Sequence, residues 1–307
     1  MPSPASRAYR AAVKRAGGRN SMLRASQAQA YVDAVRLRPE SVRPPKGVLR
    51  SVEVHHRQLS LANGVTWPMY DIVPPGLPED SPSVLYLHGG AYVGQIGQEA
   101  WYFAARLAAQ AKQRVTVAIY PLIPFVTADR LVAQTHDVLL QELARSPRMT
   151  LVGDSAGGGL ALAATMSARD AGDAVPTGLV LISPWTDIRL AHSDVAARAR
   201  RDVMLAPAGL RHFGDLYRGS LDPTDWRVSP LFGALEGLPP MQVFAAEDDV
   251  LYSDAVRLAE SARESNHPHE LHIGERMLHV WPLANIPEGV AAMAEIVRFC
   301  GGHRQSV

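Results

Sequence analysis

From Ser83 onward the sequence alternates with a regularity that few folds accommodate. Short apolar runs at Ser83–Leu87, Val115–Ile119, Met149–Val152, Leu179–Ile182, Met241–Ala245 and Glu270–Ile273 are separated by helical patterns near 98–111, 127–145, 156–170, 252–265 and 285–300. Runs of four or five apolar residues are what strands buried on both faces require, and strands separated by helices return in parallel. The pattern predicts βαβ units and an α/β fold with a mainly parallel, doubly wound sheet flanked by helices. Ahead of it, Ser51–Ser60 and Val65–Val73 are β-rich segments joined through Asn63-Gly64, a dipeptide suited to a hairpin turn.

Two stretches break the rhythm. Residues 1–46 read as one or two Ala-rich helices, interrupted at Gly17-Gly18 and ended by Pro44-Pro45. Between Pro184 and Pro240 no buried strand is evident, although Arg201–Tyr217 looks helical, and so long an interval reads as a lid rather than a connection. The expected organisation is an N-terminal helical cap segment (1–46), a catalytic core (47–184 and 239–307) and a helical cap insertion (185–238).

Composition narrows the class further. At 307 residues and 47% hydrophobic, the chain can bury a sizeable core, yet it has no apolar run of membrane-spanning length, and its first residues lack the apolar stretch of a secretory signal, so export by that route is not expected. Cytoplasmic location and no stable membrane insertion are expected. Cys300 stands alone, so neither an internal disulfide nor a thiolate metal cluster is available, and it reads as a small apolar helix residue. The first 50 residues carry eleven Lys or Arg against Asp33 and Glu40, a surplus of nine in a chain whose total is +1, so the remainder sums to about −8. Such a basic start suits a solvated helical face or a contact with anionic lipid. It is not interleaved with aromatics and belongs to no nucleic-acid module, so nucleic acid is not an expected partner.

The chemistry concentrates at Gly153-Asp154-Ser155-Ala156-Gly157, which directly follows one apolar run and opens a helical pattern. A serine in a G-x-S-x-G turn between strand and helix is lifted above the sheet, and the turn is too tight for bulky neighbours. Ala156 N–H, at the helix start, is a donor for a developing oxyanion. Further donors are expected from a glycine turn after an earlier strand, and His88-Gly89-Gly90-Ala91 follows Ser83–Leu87 directly. A serine hydroxyl needs a base held by a carboxylate, in chain order Ser, acid, His. His267, His269, His272 and His279 fit that order, but only His279 falls in a loop after the last strand and is assigned as the base. The acid belongs to Glu247-Asp248-Asp249 after the preceding strand, any of which has the reach.

These motifs together resemble the hormone-sensitive lipase family of microbial esterases, within the α/β-hydrolase superfamily. His88-Gly89-Gly90-Ala91-Tyr92 resembles its HGG motif and Gly153–Gly158 its GDSAGG motif; Ser183–Asp187, Val228–Leu231 and Gly237–Pro240 resemble its SPWTDL, VSPL and GLPP segments. The resemblance implies a Ser155-His279-Asp248 triad, Asp248 being favoured by the form with Asp before Glu-Val-Leu, whereas the D-P-L-x-D form favours Asp249. It also implies an oxyanion hole of Gly89, Gly90 and Ala156, no cofactor and no metal.

Substrate contacts are expected from Tyr92 and Asp154 and, in the cap, from Met204, Leu205, Phe213 and Tyr217, with Leu216 beside them. The implied activity is hydrolysis of short- to medium-chain carboxylic esters through an acyl-enzyme. Amidase, carbamate hydrolase, acyltransferase and a non-catalytic binder are the alternatives, the last disfavoured by retention of serine, base and acid. Family members often dimerise through a sheet edge. One departure stands out: where the family carries an acidic residue that braces the HGG loop, this chain reads Ile119-Tyr120-Pro121-Leu122-Ile123-Pro124, which predicts a less restrained loop.

Overall fold

A computed structural model describes residues 1–37 and 42–302. Residues 38–41 of the expected N-terminal segment, and 303–307, lie outside them. Eight strands form one sheet: β1 (Glu53–Ser60), β2 (Thr66–Val73), β3 (Ser83–Leu87), β4 (Arg114–Ala118), β5 (Met149–Asp154), β6 (Gly178–Ile182), β7 (Met241–Ala246) and β8 (His269–Gly274). Their order across the sheet is β1-β2-β4-β3-β5-β6-β7-β8, with β2 antiparallel to both its neighbours and every other pair parallel. Asn63 closes the β1–β2 hairpin by accepting from Val65 N–H at 3.0 Å, and Gly64 takes the left-handed backbone (φ 81°) that the turn needs.

Period-two geometry explains the layers. In β3, Leu85 and Leu87 face one side while Val84 and Tyr86 face the other, and Leu179/Leu181 against Val180/Ile182 repeat the division in β6. The first side is covered by α4 (Ala128–Arg145), α5 (Ala156–Ala171) and α8 (Tyr252–Glu264); the second by α3 (Gln98–Ala111) and α9 (Pro287–Gly301). Each fully buried Leu, Val or Phe contributes about 1.5–3 kcal/mol, so the two apolar layers supply most of the force that closes the sandwich. Cys300 is buried in α9, and burial pushes its thiol up to about 12, which leaves it an inert apolar residue.

The hairpin edge is tied down by charge. Asp71 on β2 accepts from Thr116 of β4 (2.7 Å), Arg57 of β1 (3.1 Å) and Arg145 of α4 (3.0 Å), and Glu142 accepts from the same two arginines at 2.6 and 2.8 Å.

Above the carboxyl ends of the strands sit α1 (Pro4–Ala16), α2 (Ala25–Leu37), α6 (Val195–Arg198) and α7 (Pro207–Arg218), with α2 and the 3-10 turn Gly18–Met22 packed on α7. Gly17 ends α1 in a left-handed conformation (φ 69°), the usual stop for a helix. The helix expected from Arg201 begins only at Pro207. Asp202 folds the preceding residues into a turn by accepting from Met204 N–H and Leu205 N–H, both at 2.8 Å, and this side-chain capture competes with the helical backbone.

Candidate active site

β5 runs directly into α5 through Ser155, whose backbone (φ 54°, ψ −120°) lies outside the ordinary regions. The elbow fits only because its flanks lack side chains. A Cβ on Gly153 would meet Gly157 O at 2.3 Å, and one on Gly157 would meet Leu87 O at 2.1 Å, so elbow and HGG loop are packed backbone to backbone. Ser155 N–H donates to Ile182 O (2.8 Å) and Trp185 N–H to Ser155 O (2.9 Å), fixing the turn from the neighbouring strand.

Ser155 Oγ lies 2.9 Å from His279 Nε2, and His279 Nδ1 lies 2.7 Å from Asp249 Oδ2. All three are buried. Burial lowers the pKa of His279, but the charge and hydrogen bond of Asp249, helped by Asp202 and Asp154, outweigh it and hold the imidazole above its ordinary value. Nδ1–H donating to Asp249 leaves Nε2 as acceptor for the serine proton.

The carboxylate that holds His279 is therefore Asp249 and not Asp248. Asp248 is equally buried but turns the other way, to Arg10 Nη2 at 2.6 Å and Arg276 Nε at 3.2 Å, with Arg201 Nε 3.5 Å away. Consecutive side chains in a tight turn diverge, so only one of the pair can face the histidine. The other candidate histidines are engaged elsewhere: His267 meets Pro239 O, His269 meets His267 O, and His272 stacks on Phe244 and meets Glu270.

The oxyanion loop also differs from expectation. Gly89 N–H is already committed to Asp154 Oδ1 at 2.9 Å. Among the described residues, the N–H groups of Gly90, Ala91 and Ala156 have no acceptor, and Gly90 and Ala91 line the cavity beside Ser155. Gly90 (φ 127°), Ala91 (φ 53°) and Tyr92 (φ 61°) form one tight left-handed turn, a backbone arrangement in which successive donors converge. The pair Gly89 and Gly90 implied by the family resemblance is thus shifted by one residue, to Gly90 and Ala91.

The loop is not loose despite the altered segment after β4. Tyr120 donates to His88 O and its ring stacks on His88 at 4.4 Å; Asp154 accepts from Tyr86 as well as from Gly89. Burial pushes the Asp154 carboxyl up to about 6, against the hydrogen bonds of Tyr86 and Gly89. Burial likewise pushes His88 down to about 4, so it is neutral, with Nδ1–H directed at Gly89 O (2.6 Å).

A cavity of about 460 Å³ opens over Ser155 and His279. Met204, Leu205 and Phe213 line it as expected, joined by Ser21, Met22 and Tyr31 from the N-terminal segment, by Val93 and Gln95 of the HGG loop, and by Asp154. Asp154 borders the cavity, but its carboxylate is spent on the loop. Tyr92 and Tyr217 do not line it: their rings stack at 3.7 Å, with Tyr92 also against Trp185, and both are buried core residues. The pairing leaves no local mark in the sequence, because it joins the HGG loop to α7 across more than a hundred residues.

The sheet order and the elbow together define an α/β hydrolase. A profile of the family described as alpha/beta hydrolase fold matches residues 84–283. An acetyl-hydrolase of Streptomyces hygroscopicus is 34% identical over 220 residues, covering 70% of this chain and 74% of that one. An esterase of Acinetobacter venetianus is 28% identical over 226 residues, covering 70% and 73%. The crystal structure of an esterase from the bacterial hormone-sensitive lipase family has a TM-score of 0.80 at 27% identity, covering 98% of this chain and 99% of that one. The chain belongs to the α/β-hydrolase family, and within it to the bacterial hormone-sensitive lipase family.

Proposed function

We propose that this protein is a carboxylesterase acting on short- to medium-chain acyl esters through Ser155, His279 and Asp249. The observation that carries the reading is the hydrogen-bonded sequence from Ser155 Oγ to His279 to Asp249, opening into an apolar cavity beside free backbone N–H groups. His279 Nε2 takes the hydroxyl proton as Ser155 Oγ bonds to the ester carbonyl carbon, and Asp249 stabilises the imidazolium. Gly90, Ala91 and Ala156 N–H receive the oxyanion, each worth about 3–4 kcal/mol in comparable sites. The imidazolium returns its proton to the departing alkoxide; water, deprotonated by His279, then releases the acid.

The chain-length assignment rests on the cavity's size, its lining by Met22, Met204, Leu205 and Phe213, and the similarity to an acetyl-hydrolase. In this reading residues 1–46 and 185–238 are the cap and 47–184 with 239–307 the catalytic core. Hydrolysis of p-nitrophenyl esters from two to sixteen acyl carbons, by wild type beside Ser155→Ala, tests it. Turnover that peaks at short or medium chains and vanishes in the variant is expected; no turnover at any length from folded protein would refute it.

A further inference from the structure

Asp202 lies in the turn between α6 and α7, in the cap, yet it is completely buried and reaches the catalytic turn. Its Oδ1 accepts from Met204 N–H and Leu205 N–H, two residues that line the cavity, while its Oδ2 accepts from Val250 N–H at 3.0 Å, the residue following Asp249. One carboxylate thus holds the cavity roof with one oxygen and the backbone of the acid turn with the other. Arg19 of the N-terminal segment reinforces the same turn from behind, donating to Asp202 O (2.9 Å) and Ala199 O (2.6 Å).

We propose that Asp202 is a positioning residue that couples the cap to the catalytic acid, setting the direction of Asp249 through Val250 and the shape of the cavity through Met204 and Leu205. The inference rests on the Ser155-His279-Asp249 reading. Removing the carboxylate frees both elements at once and replacing it by an amide frees one of them, and a shift of about 1 Å at reacting groups costs on the order of 100-fold in rate.

The carboxylate also acts through its charge. Burial, and then the nearby charge of Asp249, push Asp202 up to about 6, so above that pH it is a second anion near the histidine. The charged and titratable groups bearing on His279 are Asp249 from the β7 turn, Asp202 from the cap and Asp154 from the elbow. Asp248, in the same turn as Asp249, is matched by Arg10, Arg201 and Arg276. With Asp202 charged, the imidazolium is favoured; with it neutral, His279 gives up its proton at lower pH.

The test compares wild type, Asp202→Asn and Asp202→Ala by kcat and KM for p-nitrophenyl acetate across pH. The His279 ring is titrated in parallel by NMR, with its signal assigned by His279→Gln. Asn keeps the size and one acceptor oxygen, so it stays folded if Ala does not. The expected result is a kcat lower by about 10- to 100-fold, with KM raised. The acid limb and the His279 titration should both move down by about half a unit or more. An acid limb and titration that stay in place in Asp202→Asn overturn the inference, whatever happens to kcat. A titration that moves in a protein without esterase activity supports the coupling and refutes the esterase reading instead.

Discussion

Asp248 and Asp249 are consecutive and both fully buried, yet their carboxylates serve opposite faces of one turn. Asp249 Oδ2 lies 2.7 Å from His279 Nδ1, and Asp248 Oδ2 lies 2.6 Å from Arg10 Nη2. One neighbour orients the imidazole of His279; the other anchors α1, the turn after α6 and the His279 loop through three arginines.

The two therefore fail differently when altered. Asp249→Asn leaves the geometry but lets the wrong tautomer of His279 prevail, and kcat should fall by about 10³- to 10⁴-fold. Asp248→Asn should keep kcat within about 10-fold of wild type while unfolding at lower urea concentration, because it strands three arginines around a neutral group. Steady-state kinetics beside urea denaturation separates the two; equal kinetic losses would contradict the division of roles.

Gly90 offers a test of the oxyanion loop. Its backbone sits at φ 127°, and a Cβ there would come within 2.3 Å of Gly94 O. Gly90→Ala is expected to displace the donors at Gly90 and Ala91 and to lower kcat by about 10²- to 10³-fold. Gly97→Ala, where an added Cβ meets nothing within 4 Å, is the control and should behave as wild type.

The pH dependence follows from His279. Its pKa is raised in the folded protein by Asp249 against the effect of burial, and only the neutral imidazole accepts the serine proton. Activity is thus full well above the ordinary histidine value of 6.5 and is lost as pH falls through the raised one. An acid limb of kcat/KM lying below 6.5 would contradict this assignment.

Stability has its own acid-sensitive element at the hairpin edge. Burial raises the pKa of Asp71, but hydrogen bonds from Arg145, Thr116 and Arg57 outweigh it and hold the carboxyl below the ordinary 3.8. A depressed carboxyl stabilises the fold above its unfolded value and loses that contribution as pH falls through the folded one. Asp71→Asn should cost about 3–5 kcal/mol at pH 7, since it leaves Arg57 and Arg145 half-paired in a mostly buried site. Thermal unfolding at pH 7 and pH 4 should show the gap beginning to narrow only at the lower value.

Phe213 tests the roof of the cavity. Phe213→Ala opens apolar space above Ser155, so the preferred acyl chain should lengthen by about two to four carbons at a stability cost of about 3–5 kcal/mol. A chain-length profile that does not move would remove Phe213 from the acyl site.

Much of this architecture was written locally. β3 and α3 occupy the segments Ser83–Leu87 and 98–111 that the apolar period marks, and the elbow declares itself because Gly153 and Gly157 flank Ser155 where a strand gives way to a helix. The choice between Asp248 and Asp249 was not local, since it depends on which way a turn faces relative to Arg10, over two hundred residues away. Tyr92 and Tyr217, expected to contact substrate, depart from that expectation for the same reason: each buries its ring against a partner far away in the sequence. Tyr120, read only as the absence of the usual acidic brace, proves to hold His88 in its place.

The cavity floor belongs to the ends of adjacent strands, where Gly157 is wedged against Leu87 and His88, while its roof is drawn from residues 21–31 and 204–213. Reactivity and selectivity are consequently inherited from different parts of the chain. Side-chain substitutions in the roof that leave the Asp202 turn intact are free to retune which acyl groups enter, while the wedge holds the elbow and the HGG loop beneath them in place.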